Sequence, residues 1–347
     1  MPTFSPAGRE VFFRTATLAA LALAAALAAG TARAETGVGM LLAPWDWDGK
    51  QTASLSAWAG KSTATNRTTG EETRLRYSEL QGRFHGEGMP FMVGWQGKFM
   101  GFGSTDRAAI PQMLHDTAFS LATSLTPKEP AQAFGKDWDI GLEAGAGQAA
   151  SSFGDSRGYY GTATLTAGTD LSDTARLVLA AAFDGNRAVW QDIPLAGVEY
   201  RDSTGEYLNG DKRKPVFSWR VGFPRAGVEW RPDDRWLVAI QADIASLGAA
   251  RVEYELGDTR WRLFGALRPY RIRAHQEGDD DRHRLFFSSE TVEFGARFSP
   301  RAGIHLLGAA GYSFNQVLER GWDARNLSTV REFDAAPMIR GEVRWDF

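Results

Sequence analysis

The chain has 347 residues, enough for one large domain or two small ones. It contains no cysteine, which excludes disulfides, thiolate metal sites and a cysteine nucleophile. Its 39 basic and 42 acidic residues give a net charge of −3, so there is no basic excess to bind nucleic acid. The mean hydropathy of −0.31 is low for an α-helical membrane protein but ordinary for a β-barrel, where apolar and polar residues alternate.

The N-terminus has the three parts of a secretory signal peptide. Arg9 and Arg14 supply positive charge, residues 18–29 are Leu and Ala, and Ala32-Arg33-Ala34 has the form of a cleavage site. A membrane-anchor helix is the weaker alternative, because the apolar stretch is shorter than the roughly 20 residues that span a bilayer. We therefore predict a signal peptide over 1–34.

From residue 51 onward the dominant hydrophobic period is two, in segments of about ten residues separated by turns, which is typical of a transmembrane β-barrel. The C-terminus shows it best. One face there carries Ile339, Gly341, Val343, Trp345 and Phe347, and the other carries Arg340, Glu342, Arg344 and Asp346. The pattern predicts an all-β chain, with an N-terminal periplasmic segment at 35–50 and an antiparallel up-and-down transmembrane barrel over 51–347.

Connection lengths predict the number of strands and their direction. Short connections suit the periplasmic side of a barrel and long ones the outside. The sides alternate consistently with about fourteen strands, within a range of 12–16. That number treats 215–231 as one long strand and 193–201 as part of an external loop. Near Pro224 the apolar residues of this strand change from one face to the other, which a bulge at proline allows. If both regions split, the number is sixteen.

Tryptophan placement supports the same reading. Five of the twelve tryptophans lie at the short-turn ends of their predicted strands: Trp138, Trp230, Trp236, Trp261 and Trp345. Indole rings prefer the level of the lipid headgroups, so barrels carry aromatic girdles there. We expect outer-membrane lipids to surround the barrel.

Short phrases give a family resemblance. Residues 193–200 read Ile-Pro-Leu-Ala-Gly-Val-Glu-Tyr, 223–230 read Phe-Pro-Arg-Ala-Gly-Val-Glu-Trp, and 251–254 read Arg-Val-Glu-Tyr. They resemble an uncharacterised bacterial outer-membrane barrel family over roughly 90–270. The resemblance implies a barrel and no known activity. The terminal Phe347, with Trp345 before it, resembles the general assembly signal of such barrels, which implies the barrel assembly machinery as a partner.

The sequence lacks an evident catalytic or metal-binding constellation. Outer-membrane hydrolases of the Ser-His type usually carry the two residues two apart on one strand, and none of the five histidines has a serine at that spacing. His305, for example, has Gly303 and Leu307 there. The acidic run at 277–281 lacks the ligand spacing of an EF-hand, so a solvated loop is the favoured reading over a Ca²⁺ site. No catalytic, metal or cofactor residue is predicted, and the chain is not expected to be an enzyme.

The inward face of the predicted barrel is charged. The residues expected to line the lumen are Lys98, Glu143, Arg176, Asp243, Arg251, Glu253, Glu255, Arg260, Arg262, Glu293, Arg297, Arg340, Glu342 and Arg344. They could form a pore lining that selects solutes by charge, or a packed interior of cross-strand ion pairs. Because arginine pairs bidentately with carboxylates, its excess over lysine favours a partly filled interior.

One hairpin gives a specific register. A tight turn at Gly257-Asp258 would place Glu255 opposite Arg260 and Glu253 opposite Arg262, all on one face.

Together these features predict a barrel in the outer membrane of a Gram-negative bacterium. The first functional hypothesis is a passive channel or transporter for small solutes. The second is a structural or interaction barrel that acts through long extracellular loops. A lipid hydrolase is third, because it lacks a constellation. Conductance would separate the first two.

Overall fold

The computed structural model describes residues 52–63, 72–84, 90–103, 110–125, 131–172, 175–187, 194–203, 216–223, 225–233, 235–243, 246–257, 259–276, 283–323 and 325–346. The predicted signal peptide, the segment at 35–50, the acidic run at 277–281 and Phe347 lie outside the described residues. Among the described residues, no helix is long and apolar enough to cross a membrane.

The described chain is almost entirely strand. The strands are β1 (Thr52–Thr63), β2 (Glu72–Phe84), β3 (Met92–Gly103), β4 (Met113–Ser124), β5 (Ala131–Ala133), β6 (Lys136–Ala150), β7 (Tyr159–Asp170), β8 (Ala175–Asp184), β9 (Leu195–Ser203), β10 (Val216–Phe223), β11 (Arg225–Arg231), β12 (Trp236–Asp243), β13 (Ser246–Glu255), β14 (Trp261–Ala274), β15 (Arg284–Arg301), β16 (Ile304–Gly321), β17 (Leu327–Phe333) and β18 (Ala336–Asp346).

These strands close into an antiparallel up-and-down barrel. Each strand pairs with its neighbours in the chain, and β1 pairs with both β2 and β18, which closes the wall. The short β5 pairs with β6 beside the wall, and β17 and β18 follow one another along β16. Of the eighteen described strands, β5 is therefore an appendage and β17 with β18 fill one position, which leaves sixteen positions in the wall.

Sixteen lies within the predicted range of 12–16 and is two above the preferred fourteen. Both uncertain regions split. Residues 195–203 form β9, which pairs with β8 and β10 instead of belonging to an external loop. The stretch 215–231 forms two strands that pair with each other, Val221 opposite Ala226. Pro224, where the face was expected to flip, lies outside the described residues.

The barrel has two unlike ends. The turn end carries the connections at 171–174, 232–235, 256–260 and 302–303, together with the start of β1 and the end of β18. At the loop end β1, β3 and β14 end, β2, β4 and β15 begin, and the 151–158 connection joins β6 to β7. Two glycines suit tight turns at the turn end, since Gly257 (φ 56°) and Gly303 (φ 80°) adopt the left-handed conformation that other residues disfavour.

Strand alternation separates an apolar outer face from an inner face. Leu179 on β8 is 41% exposed, whereas its neighbour Ala180 is 7% exposed, and Leu306 and Leu307 on β16 differ in the same way. Large apolar side chains point outward all around the wall: Leu55, Phe119, Leu142, Leu165, Ile240, Leu263, Phe294, Ile339 and Val343. An apolar exterior on a closed barrel is the arrangement of a membrane-spanning β-barrel.

Aromatic side chains collect at the turn end. Trp236 lies against Tyr254 with ring centroids 4.6 Å apart, and Trp261 lies against Phe298 at 4.7 Å. Trp261 and Trp345 are both exposed on the outer face. Their position matches an aromatic girdle at one membrane interface.

An apolar core fills part of the interior towards the loop end. Most of its buried members come from β1–β4 and from β14–β18: Trp58, Leu75, Tyr77, Met100, Phe102, Leu114, Tyr270, Ile272, Leu285, Phe287, Leu318, Phe333 and Met338. Ile110 and the β6 residue Ala149 join them. The ring of Tyr270 lies 5.0 Å from that of Tyr77 and 5.6 Å from that of Trp58. Since β14 is several strands away from β1 and β2 in the wall, these contacts cross the interior.

The end of β14 narrows the barrel further. The register pairs β13 with β14 only as far as Leu267. Beyond that point, His275 forms a parallel bridge with Ala150, its N–H donates to the Ala149 carbonyl (2.9 Å) and its own carbonyl accepts from the Ser151 N–H (2.8 Å). In wall order β7–β13 lie between β6 and β14. Two distant parts of the wall therefore meet at the loop end.

Candidate functional site: the charged inner wall

The inward faces of β13–β18 carry a connected set of arginines and glutamates. Cross-strand register puts Arg251, Glu253 and Glu255 of β13 on the same face as Arg262 and Arg268 of β14 and as Glu293 and Arg297 of β15. Arg340 and Glu342 of β18 join that face across β16. Alternation places the intervening apolar residues on the lipid side, so the strand period alone directs the charges inward.

Glu253 is the centre of the first group. Its side chain is 2% exposed, and it accepts from Arg251 on its own strand. Arg297 reaches the same carboxylate from β15 at 3.1 Å, and Arg262 approaches it at 3.8 Å. Arg262 also donates to Glu255 at 2.6 Å. One buried carboxylate is thus surrounded by three guanidinium groups.

Glu293 is the centre of the second group. Its fully buried carboxylate lies 2.7 Å from the Nη1 of Arg340 and 2.7 Å from the Nε of Arg268. Arg340 also donates to Glu342 on its own strand. The two groups together hold five arginines and four glutamates, so the wall carries one more positive than negative charge.

These ion pairs are poor candidates for a purely stabilising role. Desolvating two charges costs about as much as their attraction returns, and apolar replacements of similar volume are often neutral or better. If these charged residues served stability alone, apolar side chains could replace them, as apolar side chains fill the core at the loop end. The charges therefore mark this half of the interior as different in function from the apolar half.

The hairpin register predicted from sequence is wrong by two residues. Glu255 lies opposite Arg262, and Glu253 lies opposite Phe264. The reason is the turn, which spans 256–260 and is closed by the Leu256 N–H donating to the Trp261 carbonyl (3.0 Å), instead of being a two-residue turn at Gly257-Asp258. A shift of two keeps each side chain on its face, so the charges still point inward.

The remaining predicted lining residues lie apart from these groups. Lys98 lies between Glu79 and Asp116 in the register, and Glu143 lies between Ala122 and Thr164. Arg176 bridges Asp139 (2.8 Å) and Asp170 (2.7 Å) near the turn end.

Three predicted residues lie at strand ends. Arg260 donates to the Pro300 carbonyl at the turn end. Arg344 donates to Asp346 at 2.7 Å, close to the end of β18. Asp243 ends β12, and its side chain is outside the described part.

A polar cluster at the loop end was not predicted. The Tyr160 hydroxyl donates to Asp116 at 2.5 Å, and the Asn186 amide donates both to Asp116 (3.2 Å) and to the Arg273 carbonyl (3.3 Å). Arg273 in turn donates to the Arg187 carbonyl. This cluster holds the end of β14 against β4 and the β8–β9 connection. Sequence periodicity carries no signal for it, because the contact depends on β14 crossing to the opposite wall.

A second contact at the loop end joins the 151–158 connection to β14. Asp155 Oδ2 lies 2.7 Å from His275 Nδ1. Partial burial works against the charged form of Asp155, but its hydrogen bonds with His275 and the Arg157 N–H hold the pKa of its carboxyl below the usual value. Within the described ranges, no group of three or more acidic or histidine side chains could hold a metal ion.

The chain matches no family model and no curated protein. The resemblance of its short phrases to one barrel family therefore stays a prediction, as does the assembly role of Phe347.

Solved structures of outer-membrane channels are similar to it over most of its length. The TodX deltaS2S3 mutant monoaromatic hydrocarbon channel is 11% identical, with 86% of this chain and 90% of that chain covered and a TM-score of 0.37. Acinetobacter baumannii OccAB3 is 11% identical (86% and 98% covered, TM-score 0.33). An outer membrane channel from Pseudomonas putida F1 is 9% identical (86% and 96% covered, TM-score 0.30). Similarity of this degree carries no argument about function.

Proposed function

We propose that this protein is an outer-membrane channel that passes small polar or charged solutes. The observation that carries the proposal is the inner wall of β13–β18, where Glu253 and Glu293 are each held by arginines from neighbouring strands. Charged rings and walls are the means by which pores select solutes, and a sixteen-stranded barrel is wide enough to need either water or a plug inside.

The proposed path runs between strands β6–β12 and the charged wall of β13–β18, beside the apolar core. The apolar core occupies the interior between β1–β4 and β14–β18. On β6 and β7 the inward residues are small or polar, including Gly145, Gly147 and Thr162. Water and small solutes would pass between these faces.

Location in the outer membrane follows from the same architecture. A closed barrel with an apolar exterior and an aromatic girdle needs a bilayer around it, and such barrels occur in outer membranes. Outer-membrane lipids and the barrel assembly machinery are accordingly the partners that we propose.

A structural or interaction barrel is the second candidate. The apolar core and the contact between His275 and Ala150 favour it, because both fill or narrow the interior at the loop end. In that case the long connections at the loop end would carry the function.

Conductance in a planar bilayer separates the two candidates. The purified, refolded chain should produce discrete current steps in KCl if it is a channel. The same preparation boiled before addition, which removes the folded barrel, is the control. A folded barrel that inserts without current steps would support the structural candidate and reject the channel.

A further inference from the structure

A serine, a histidine and an aspartate side chain meet at the turn end of the barrel. Ser299 lies near the end of β15, His305 is the second residue of β16, and Asp346 ends β18. Ser299 Oγ is 2.8 Å from His305 Nδ1, and His305 Nε2 is 3.3 Å from Asp346 Oδ2. A nucleophile within hydrogen-bond reach of a base that a third group orients is the pattern of an activated hydroxyl.

The turn between β15 and β16 makes this arrangement. It reverses the chain at Ala302-Gly303, so residues six apart become neighbours. The Gly303 carbonyl accepts from the Asp346 N–H at 2.7 Å, and a Cβ at Gly303 would lie 2.3 Å from the Asp346 carbonyl oxygen. Gly303 therefore lets the last residues of β18 pack against the turn, which brings Asp346 to the imidazole.

The two partners of His305 lie on different ring nitrogens. Asp346 Oδ2 lies on the Nε2 side at an ion-pair distance of 3.3 Å, and in the tautomer that carries its proton on Nε2, Nδ1 accepts from the Ser299 hydroxyl. The second oxygen of Asp346 accepts from Arg344 Nε at 2.7 Å, so the carboxylate is held on both sides. In serine proteases the imidazole Nε2 faces the serine and Nδ1 faces the aspartate, whereas His305 has these partners exchanged. The proton still passes from the serine hydroxyl to the imidazole.

These side chains are accessible from water. The His305 and Asp346 side chains are 27% and 30% exposed, and they lie on the inward face at the rim instead of in the packed core. Arg260 donates to the carbonyl of Pro300, the residue after Ser299. Arg260 therefore places a positive charge on the turn that carries Ser299, and positive charge near a reacting carbonyl stabilises an oxyanion.

We propose that Ser299, His305 and Asp346 form a hydrolytic triad that cleaves carboxylic esters reaching the turn end from the aqueous side. Ser299 Oγ bonds to the ester carbonyl carbon while its proton passes to His305 Nδ1. The carbon–oxygen bond to the alcohol then breaks, and the alcohol leaves with that proton. Water attacks the acyl-serine in the same way, which releases the carboxylic acid and restores the hydroxyl. This activity is separate from solute passage.

The first test uses a fluorophosphonate probe on the refolded chain in detergent micelles. A base-activated serine attacks the phosphorus and expels fluoride, so mass spectrometry should find the adduct on Ser299. The proposal is overturned if the wild-type barrel carries no adduct or if the adducts are scattered over other serines. This test needs no variant.

The second test measures hydrolysis of p-nitrophenyl butyrate. Ser299→Ala should reduce the rate to the uncatalysed background, and His305→Gln should reduce it by roughly 100-fold or more, the usual contribution of a positioned base. Ser328→Ala is the matched control, because Ser328 is an exposed serine on β17 at the loop end, where its hydroxyl donates to the Arg320 carbonyl (3.1 Å), and it should leave the rate unchanged. Heat-modifiable migration checks that each variant is folded. Equal rates in folded wild type and S299A overturn the triad, while conductance should be unaffected by S299A.

Discussion

Glu293 on β15 and Arg340 on β18 form a buried ion pair although β16 runs between their strands. Their Oε1 and Nη1 atoms are 2.7 Å apart, and the side chains are 0% and 3% exposed. They meet because the inward residues of β16 between them are small: Ala309 lies opposite Arg340, and Gly311 lies opposite Glu293. A Cβ at Gly311 would lie only 2.2 Å from the Val292 carbonyl oxygen, so this position requires glycine.

Removing Arg340 should strongly destabilise the barrel. In Arg340→Met the buried Glu293 keeps only Arg268, and breaking a buried pair from one side costs roughly 3–5 kcal/mol. Arg344→Met is the matched control, since Arg344 lies four residues later on the same face with an exposed side chain, and it should cost about 1 kcal/mol or less. Urea unfolding in phospholipid vesicles measures both. Equal unfolding free energies for the two variants would contradict the network.

An arginine on the outer face should destabilise the barrel more strongly the closer it lies to the middle of the membrane. Leu179→Arg places a guanidinium near the middle of β8 and should cost roughly 2–4 kcal/mol, whereas Leu171→Arg, at the turn end of the same hairpin, should cost about 0–1 kcal/mol. The free energies of unfolding in vesicles test this. If both substitutions cost the same, the alternation on β8 does not face lipid.

The connection at 322–326 should loosen in acid. Burial disfavours the charged form of Asp323, but hydrogen bonds from Arg325 outweigh it and hold the pKa of Asp323 below its usual value of about 3.9. A group whose pKa is depressed in the folded state contributes stability above the unfolded pKa and loses it as the pH falls through the folded one. Hydrogen exchange at the Arg325 and Asn326 amides should therefore quicken in Asp323→Asn at pH 7, and the difference from wild type should vanish in strong acid. A difference that persists unchanged at low pH would refute the ion pair's role.

Assembly should depend on the C-terminal aromatics. Trp345 is exposed on the outer face at the turn end, and the last strand closes the barrel against β1. Deleting Phe347 should lower the amount of heat-modifiable barrel in the outer membrane, whereas the chain should still fold in detergent. Wild-type levels of assembled barrel in cells would count against an assembly signal.

Local pattern predicted most of the fold. The period of two placed Glu253, Arg262, Glu293 and Arg340 on one face, and it did so without knowledge of their partners. It failed where the decisive information was not local. A change of face within 215–231 does not distinguish one bulged strand from the two paired strands that the structure has, and the length of the β13–β14 connection shifts the hairpin by two residues.

The contacts that cross the interior of the barrel could not be predicted from the sequence. Nothing in β14 indicates that His275 bridges to Ala150, since that contact depends on how far β14–β16 extend past β13. Spacing along one strand does not indicate Ser299 and His305, because they lie on different strands and the 302–303 turn brings residues six apart together. The pairing of residues across a tight turn is the sequence signal that predicts this contact.

The most direct test of the channel is the reversal potential in a KCl gradient. Arg344 lies on the charged wall at the turn end with a side chain that is 45% exposed, so Arg344→Glu should shift the reversal potential towards cation selectivity. Lys136→Glu makes the same change of charge on the outer side of the β5–β6 hairpin and should leave it unchanged. A shift confined to R344E is the predicted result. The absence of current, or equal shifts in both variants, would contradict solute passage along this wall.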